Sequence, residues 1–284
     1  MKQVAAYWSL LRVHNCLIAL VGVAVGQKLS VTAQPLPLCY PALAAAFFVC
    51  AFGNVINDIV DVATDQINHP KRPLPSRMIS ISRARTLAFL LLVISLVLAF
   101  FVNWTGLIIV TLSLVMVTLY NLRWKRSPLI GNLAVSLLGA FTFLLGGAMA
   151  GPAGLVEIPG AAIPAVFAFI FHLGREIVKD VQDMAGDKIG GSRTAPIAFG
   201  ITGSLRLANL LFGLAIALSL AVYWAGWFDR AYLLLVTVGV LVPLAVEMIV
   251  LGRSPDRQRI GFITSLMRWQ MVIGMIALLL GRQY

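Results

Sequence analysis

What most constrains this chain is a succession of apolar stretches, each close to the length a helix needs to cross a bilayer. A hydrocarbon core about 30 Å thick takes roughly 20 apolar residues per helix. On that basis the sequence divides into nine candidate spans, near residues 13–33, 39–60, 86–102, 105–121, 130–150, 160–180, 205–225, 231–251 and 263–281. The third and fourth separate only if a tight turn forms at Asn103-Trp104. Composition agrees, with 60% of residues hydrophobic and 12% charged, whereas soluble domains average roughly 25% charged. So little polar surface excludes a water-soluble enzyme, a disordered chain and a disulfide scaffold. The expectation is an all-α polytopic membrane protein of nine transmembrane helices, forming one domain over residues 1–284.

The charge balance fixes an orientation. There are 22 Lys and Arg against 11 Asp and Glu, a net of +11. With the N-terminus in the cytoplasm, all the basic residues except Lys28, Arg230 and Arg282 fall in cytoplasmic segments. Cytoplasmic loops carry such an excess as a rule, so the basic character needs no nucleic acid partner. The polar start leads into a run too long for the apolar region of a signal peptide, so no cleavable leader is expected. Cys16, Cys39 and Cys50 lie in or beside apolar runs without metal-ligand spacing and read as packing residues.

The acids are clustered. Asp58, Asp61 and Asp65 end the second span, and Glu176, Asp180, Asp183 and Asp187 end the sixth. Glu157, Asp229, Glu247 and Asp256 are isolated and read as loop charges, or for Glu247 as a packed or snorkelling group. Asn54, Asp58, Asp61 and Asp65 stand at i, i+4, i+7 and i+11, which places them on one helical stripe about 60° wide. Glu176, Asp180, Asp183 and Asp187 repeat the same offsets. Basic turns follow both stripes, at Lys71-Arg72-Pro73 and at Arg193-Thr194. The two spans run in the same direction, so the repeat is parallel and both stripes emerge on the cytoplasmic side.

An unpaired acid at mid-membrane costs about 3 kcal/mol, and gathering several adds like-charge repulsion. Multivalent cations relieve both penalties. Mg²⁺ takes oxygen ligands and typically binds one or two carboxylates together with substrate phosphates. Two carboxylate stripes across a cavity, with Lys and Arg at the rim, make a site for a diphosphate and Mg²⁺.

The residues carrying these stripes resemble motifs of the UbiA superfamily of intramembrane prenyltransferases. Asn57-Asp58-Ile59-Val60-Asp61-Val62-Ala63-Thr64-Asp65 matches its NDxxDxxxD motif, and Gln66-Ile67-Asn68-His69-Pro70-Lys71-Arg72-Pro73 is similar to its basic, proline-rich tail. Asp183-Met184-Ala185-Gly186-Asp187 matches the DxxxD motif, with Asp180 a turn earlier, and Tyr120 and Lys125 resemble the Tyr and Lys that follow the fourth span. The resemblance covers nearly the whole chain. It implies nine helices around a central cavity open to the cytoplasmic side, with a first Asp motif at 54–65 and its loop at 66–85, and a second at 180–187 with its loop at 188–204. It also implies an integral protein of the cell membrane that transfers a polyprenyl chain from its diphosphate to an amphiphilic acceptor. Arg12-Val13-His14-Asn15 and Pro128-Leu129-Ile130-Gly131-Asn132 resemble the branch that adds a second geranylgeranyl chain, by an ether bond, to the hydroxyl of geranylgeranylglyceryl phosphate.

The residue roles follow from motif and resemblance together. Asn54, Asp58, Asp61 and Asp65, with Asp180, Asp183 and Asp187, are candidate Mg²⁺ ligands. Lys71, Arg72, Lys188 and Arg193 are candidate diphosphate clamps, and Arg12, Asn15 and Arg123 candidate acceptor contacts. Asp58, Asp61, Asp183, Tyr120 and Lys125 form the expected catalytic set. Prenylation of a quinone precursor, chlorophyllide or haem is the alternative chemistry. A secondary transporter is the alternative of another class, since intramembrane acids and an internal repeat also mark transporters.

Overall fold

The computed structural model describes residues 2–30, 35–253 and 256–282. Residues 31–33, the end of the first expected span, lie outside the described residues. The described chain is helical, with one isolated bridge, Phe228 to Arg282. In chain order the helices are α1 (Lys2–Leu11), α2 (Val13–Leu29), α3 (Leu36–Val60), α4 (Val62–Asn68), α5 (Ile81–Val102), α6 (Trp104–Leu122), α7 (Ile130–Ala148), α8 (Ala153–Val156), α9 (Ala162–Ile189), α10 (Ala195–Trp224), α11 (Arg230–Val236), α12 (Val242–Arg253) and α13 (Arg257–Leu280). A 3₁₀ turn at Trp124–Arg126 precedes α7, and a π-helical turn at Thr237–Leu241 joins α11 to α12.

Among the described residues seven helices are long and apolar enough to cross a membrane, and the bent pair α1 and α2 makes an eighth. Helix α9 also has the length, but from its midpoint onward it carries Arg175, Glu176, Lys179, Asp180, Asp183, Asp187 and Lys188. The turn expected at Asn103 is present as a single residue between α5 and α6. Asn103 Oδ1 accepts from Gly106 N at 2.9 Å, and its Nδ2 donates to Ala148 O at 2.7 Å. The seventh expected span begins ten residues earlier than its apolar pattern, because α10 already starts at Ala195 and continues across Gly200, whose φ 76° and ψ 161° are open essentially to glycine alone.

The chain forms two compact units. The first comprises Met1–Leu122 and Phe141–Ala162. Its central helix is α3, packed against α1, α2, α5 and α6. Ala84, Ala88, Leu91, Ser95 and Ala99 make the buried stripe of α5, and Ala42, Ala45, Ala46 and Ala51 are buried on α3. Small residues let helices approach closely where lipid gives no hydrophobic drive for association. Helix α2 and the last turns of α7 approach closely, for a Cβ on Gly26 would strike the Phe143 backbone and one on Gly146 the Val23 backbone.

The second unit comprises Arg123–Ala140 and Ile163–Tyr284. Helix α9 is pinned to α13 by Arg175 Nε donating to Thr264 O at 3.3 Å and by Thr264 Oγ1 donating to Gln182 Oε1 at 3.3 Å. Buried Phe212 of α10 lies against Gly174 of α9. Asp229 caps α11, accepting from Ala231 N at 2.8 Å and Tyr232 N at 3.1 Å.

Candidate functional site

In the first unit the site grows from a bend in the amino-terminal helix. Arg12 adopts the left-handed conformation, φ 49° and ψ 55°, and α1 and α2 meet there at 45°. Asn15 N turns to Arg12 O at 2.8 Å, so Leu11 O loses its usual helical donor. Two side chains replace it: Asn54 Nδ2 donates at 2.8 Å and Cys16 Sγ at 3.3 Å. Asn54 is thereby oriented, with its Oδ1 as the atom still available for a ligand. The same bend brings the Arg12 guanidinium onto the Asp58 carboxylate.

The first acidic stripe is not one straight helix. α3 ends at Val60 and α4 begins at Val62, with Asp61 at the joint. Hydrogen bonds continue through it, from Asp61 N to Asn57 O at 2.9 Å and from Asp65 N to Asp61 O at 2.8 Å. The joint is therefore a bend within a hydrogen-bonded ladder. Asp58 is 2% exposed and Asp65 4%, and Asp65 accepts from Arg72 Nη1 at 2.7 Å. Arg12, His14, Asp58 and Arg72, with Trp8 and Pro73, line a cavity of about 370 Å³. Lys71 is exposed beside it in sequence, while Asn15 on α2 and Tyr120 on α6 are half-buried. Asn57 donates through Nδ2 to Asn121 Oδ1 at 2.9 Å, which ties α3 to α6.

In the second unit the acidic stripe lies on one unbroken helix, α9. Glu176 pairs with Arg175 Nη1 at 2.6 Å and with Lys179 Nζ at 3.6 Å. Asp180 Oδ2 accepts from Asn132 Nδ2 at 2.9 Å. Asn132 is buried in the first turn of α7. Asp183 is exposed and Asp187 half-buried. Arg193 N donates to Arg126 O at 3.0 Å, which ties the segment after the stripe to the turn carrying Lys125. Arg123, Lys188 and Arg193 are exposed.

Spacing alone identified the carboxylates but not their partners. Asn132 stands in the sequence only within the Pro128–Asn132 resemblance, and its bond to Asp180 joins residues 48 apart. Arg12, expected at the acceptor, rests on the first carboxylate of the ladder. Among the described residues no group of three or more His, Cys, Asp or Glu side chains is gathered tightly enough to hold a metal alone. That donor set still fits Mg²⁺, which takes one or two carboxylates and completes its shell from water and phosphate. Asp58 and Asp65, buried and each held against a guanidinium, already demand positive charge at their oxygens.

With this geometry the chain can be compared with known proteins. It is 34% identical to the digeranylgeranylglyceryl phosphate synthase of Methanocaldococcus jannaschii over 287 residues, covering 99% of this chain and 97% of that protein. The enzyme of the same name from Methanopyrus kandleri is 34% identical over 276 residues, 96% of this chain and 98% of that one. A solved structure described as digeranylgeranylglyceryl phosphate synthase in membranes superposes with a TM-score of 0.83 at 33% identity, over 99% of both chains. A UbiA homolog from Archaeoglobus fulgidus, solved with DMAPP and Mg²⁺, shares the fold with a TM-score of 0.68 at 20% identity, over 94% of this chain and 98% of that one. The description "UbiA prenyltransferase family" matches residues 15–272. The chain belongs to the UbiA prenyltransferase family.

Proposed function

We propose that this chain is the Mg²⁺-dependent enzyme that moves a geranylgeranyl group from its diphosphate to the free hydroxyl of geranylgeranylglyceryl phosphate. The C1–oxygen bond of the prenyl diphosphate breaks, an ether bond forms between C1 and the glycerol oxygen, the hydroxyl proton is released, and diphosphate leaves. The observation carrying this reading is the pair of buried carboxylates, Asp58 and Asp65, set against Arg12 and Arg72 at the end of an apolar span. Relatives a third identical over nearly the full length bear the name of that synthase, which supports the choice of acceptor.

Asn54, Asp58, Asp61 and Asp65 form one ligand set, and Asp180, Asp183 and Asp187 the other. When bound, Mg²⁺ neutralises diphosphate oxygens and stabilises the charge of the leaving group. Lys71, Arg72, Lys188 and Arg193 hold the phosphates, arginine through paired N–H groups and lysine as a point charge. Arg12, Asn15 and Arg123 receive the acceptor, and Tyr120 and Lys125 serve the reacting end of the donor. The apolar spans keep water from a carbocation that it would otherwise quench. The orientation follows the basic residues: nine spans, counting α1 with α2 as the first and α9 as the sixth, and a site that opens to the cytoplasm.

The test is purified protein in detergent, given geranylgeranyl diphosphate with either geranylgeranylglyceryl phosphate or a hydroxybenzoate. Mg²⁺-dependent diphosphate release with a chain gained by the glyceryl phosphate is the expected result. Asp58→Ala and Asp183→Ala are expected to lower turnover at least 100-fold while the protein remains folded in the membrane. Wild-type rates in both variants overturn the ligand assignment, and a chain gained only by the hydroxybenzoate overturns the acceptor.

A further inference from the structure

One buried acid takes no part in the site described above. Glu247, on α12, is 6% exposed. Its Oε1 accepts from Gln270 Nε2 of α13 at 2.8 Å, while its Oε2 is buried without a hydrogen-bond partner among the described residues. Glu247 stands six residues before the end of α12, about 9 Å along the helix at 1.5 Å per residue. A bare acceptor at that depth is costly, since a buried polar group without its hydrogen bond bears the full penalty of leaving water.

Glu247 forms part of the wall of a groove of about 740 Å³ between α12 and α13, within the range of roughly 300–1,000 Å³ typical of small-molecule sites. The rest of the wall is mainly hydrocarbon, from Val242, Pro243, Val246 and Val250 on one side and Phe262 and Leu266 on the other. The sequence builds this opening. Pro243 has no N–H to give the carbonyl one turn earlier, and the π-helical turn at Thr237–Leu241 lies immediately before α12, an irregularity common at functional positions. The groove is distinct from the carboxylate ladder. At 100° per residue, the lining residues Arg259 and Leu266 lie about 140–160° around α13 from Gly261 and Thr264, the residues that meet Gln182 of α9.

The chemistry of the wall selects an occupant. Asp256 and Arg259 both stand at the polar end, so their charges offset each other and neither an anionic nor a cationic headgroup is favoured. Two buried acceptors here lack a donor among the described residues, Glu247 Oε2 and the Oε1 of its partner Gln270, and of these two residues only Glu247 lines the groove. We propose that this groove binds a neutral long-chain alcohol dissolved in the bilayer, its hydroxyl donating to Glu247 and its hydrocarbon chain lying along α12 and α13. This binding is independent of the proposed prenyl transfer.

The experiment uses the full chain in phosphatidylcholine nanodiscs with a diazirine-bearing C16 primary alcohol, photolysed and mapped by mass spectrometry. The expected result is labelling within residues 242–266 that geranylgeraniol competes away at least tenfold more effectively than a hydrocarbon of equal length without the hydroxyl. Glu247→Leu is expected to abolish that preference, and Glu247→Gln, which keeps an acceptor oxygen, to retain most of it. Neither substitution is expected to change the rate of prenyl transfer, which serves as the check on folding. Equal competition by the hydrocarbon means ordinary lipid contact and overturns the proposal, as does unchanged preference in Glu247→Leu. If Glu247→Leu does not fold, the wild-type competition and Glu247→Gln decide the matter.

Discussion

Arg12 shows how one backbone conformation organises several side chains. Its left-handed turn frees Leu11 O for Asn54, and its guanidinium settles on Asp58. Removing the guanidinium leaves a carboxylate that is 3% exposed without its partner, and losing one member of a fully buried pair costs about 3–5 kcal/mol. Because the Arg12 side chain is itself 27% exposed, Arg12→Ala is expected to cost less, about 1–3 kcal/mol, with Arg12→Lys intermediate, measured by thermal unfolding in detergent. Asn132 fixes one oxygen of Asp180, and groups that orient metal ligands typically contribute 10–100-fold in metal affinity. Asn132→Ala is therefore expected to raise the Mg²⁺ concentration for half-maximal turnover about tenfold, read from a Mg²⁺ titration. The acids of the ladders were legible in the sequence because helical spacing is local. Their partners were not, because Arg12 and Asp58 are 46 residues apart and Asn132 and Asp180 are 48 apart, and no periodicity links such positions.

At the scale of elements, apolar length and periodicity revealed most helices, and the irregular joints were what they concealed. Asn103 was readable as a turn because two spans had to be separated there and a short amide side chain can cap the following helix. The bend at Asp61 was not readable, since Asn54 to Asp65 keep a perfect helical spacing through it. Helix α10 extends beyond its apolar core because Thr194-Ala195-Pro196 supplies a helix start with proline in the first turn. Contacts between helix backbones in the first unit are strict. A side chain at Gly26 meets the Phe143 carbonyl, and an overpacked interior costs about 1–3 kcal/mol or more. Gly26→Val is expected to lower the unfolding temperature by several degrees and to reduce the yield of folded protein, as size-exclusion chromatography of the detergent-solubilised protein will show.

For the whole molecule, the basic residues predict which side each loop occupies. In a variant with Cys16, Cys39 and Cys50 replaced by alanine, a cysteine at Ser76 is expected to react with a membrane-impermeant maleimide only from the cytoplasmic side, and one at Gly151 only from the opposite side. The reverse pattern overturns the orientation. The one-residue link at Asn103 also bears on how the chain is made. With so little linker, α5 and α6 are expected to enter the bilayer together, as a single hairpin. The amide at the tip of that hairpin must then wait for Ala148, 45 residues further along the growing chain, before its second partner exists. The ribosome thus sets the order in which the first unit closes.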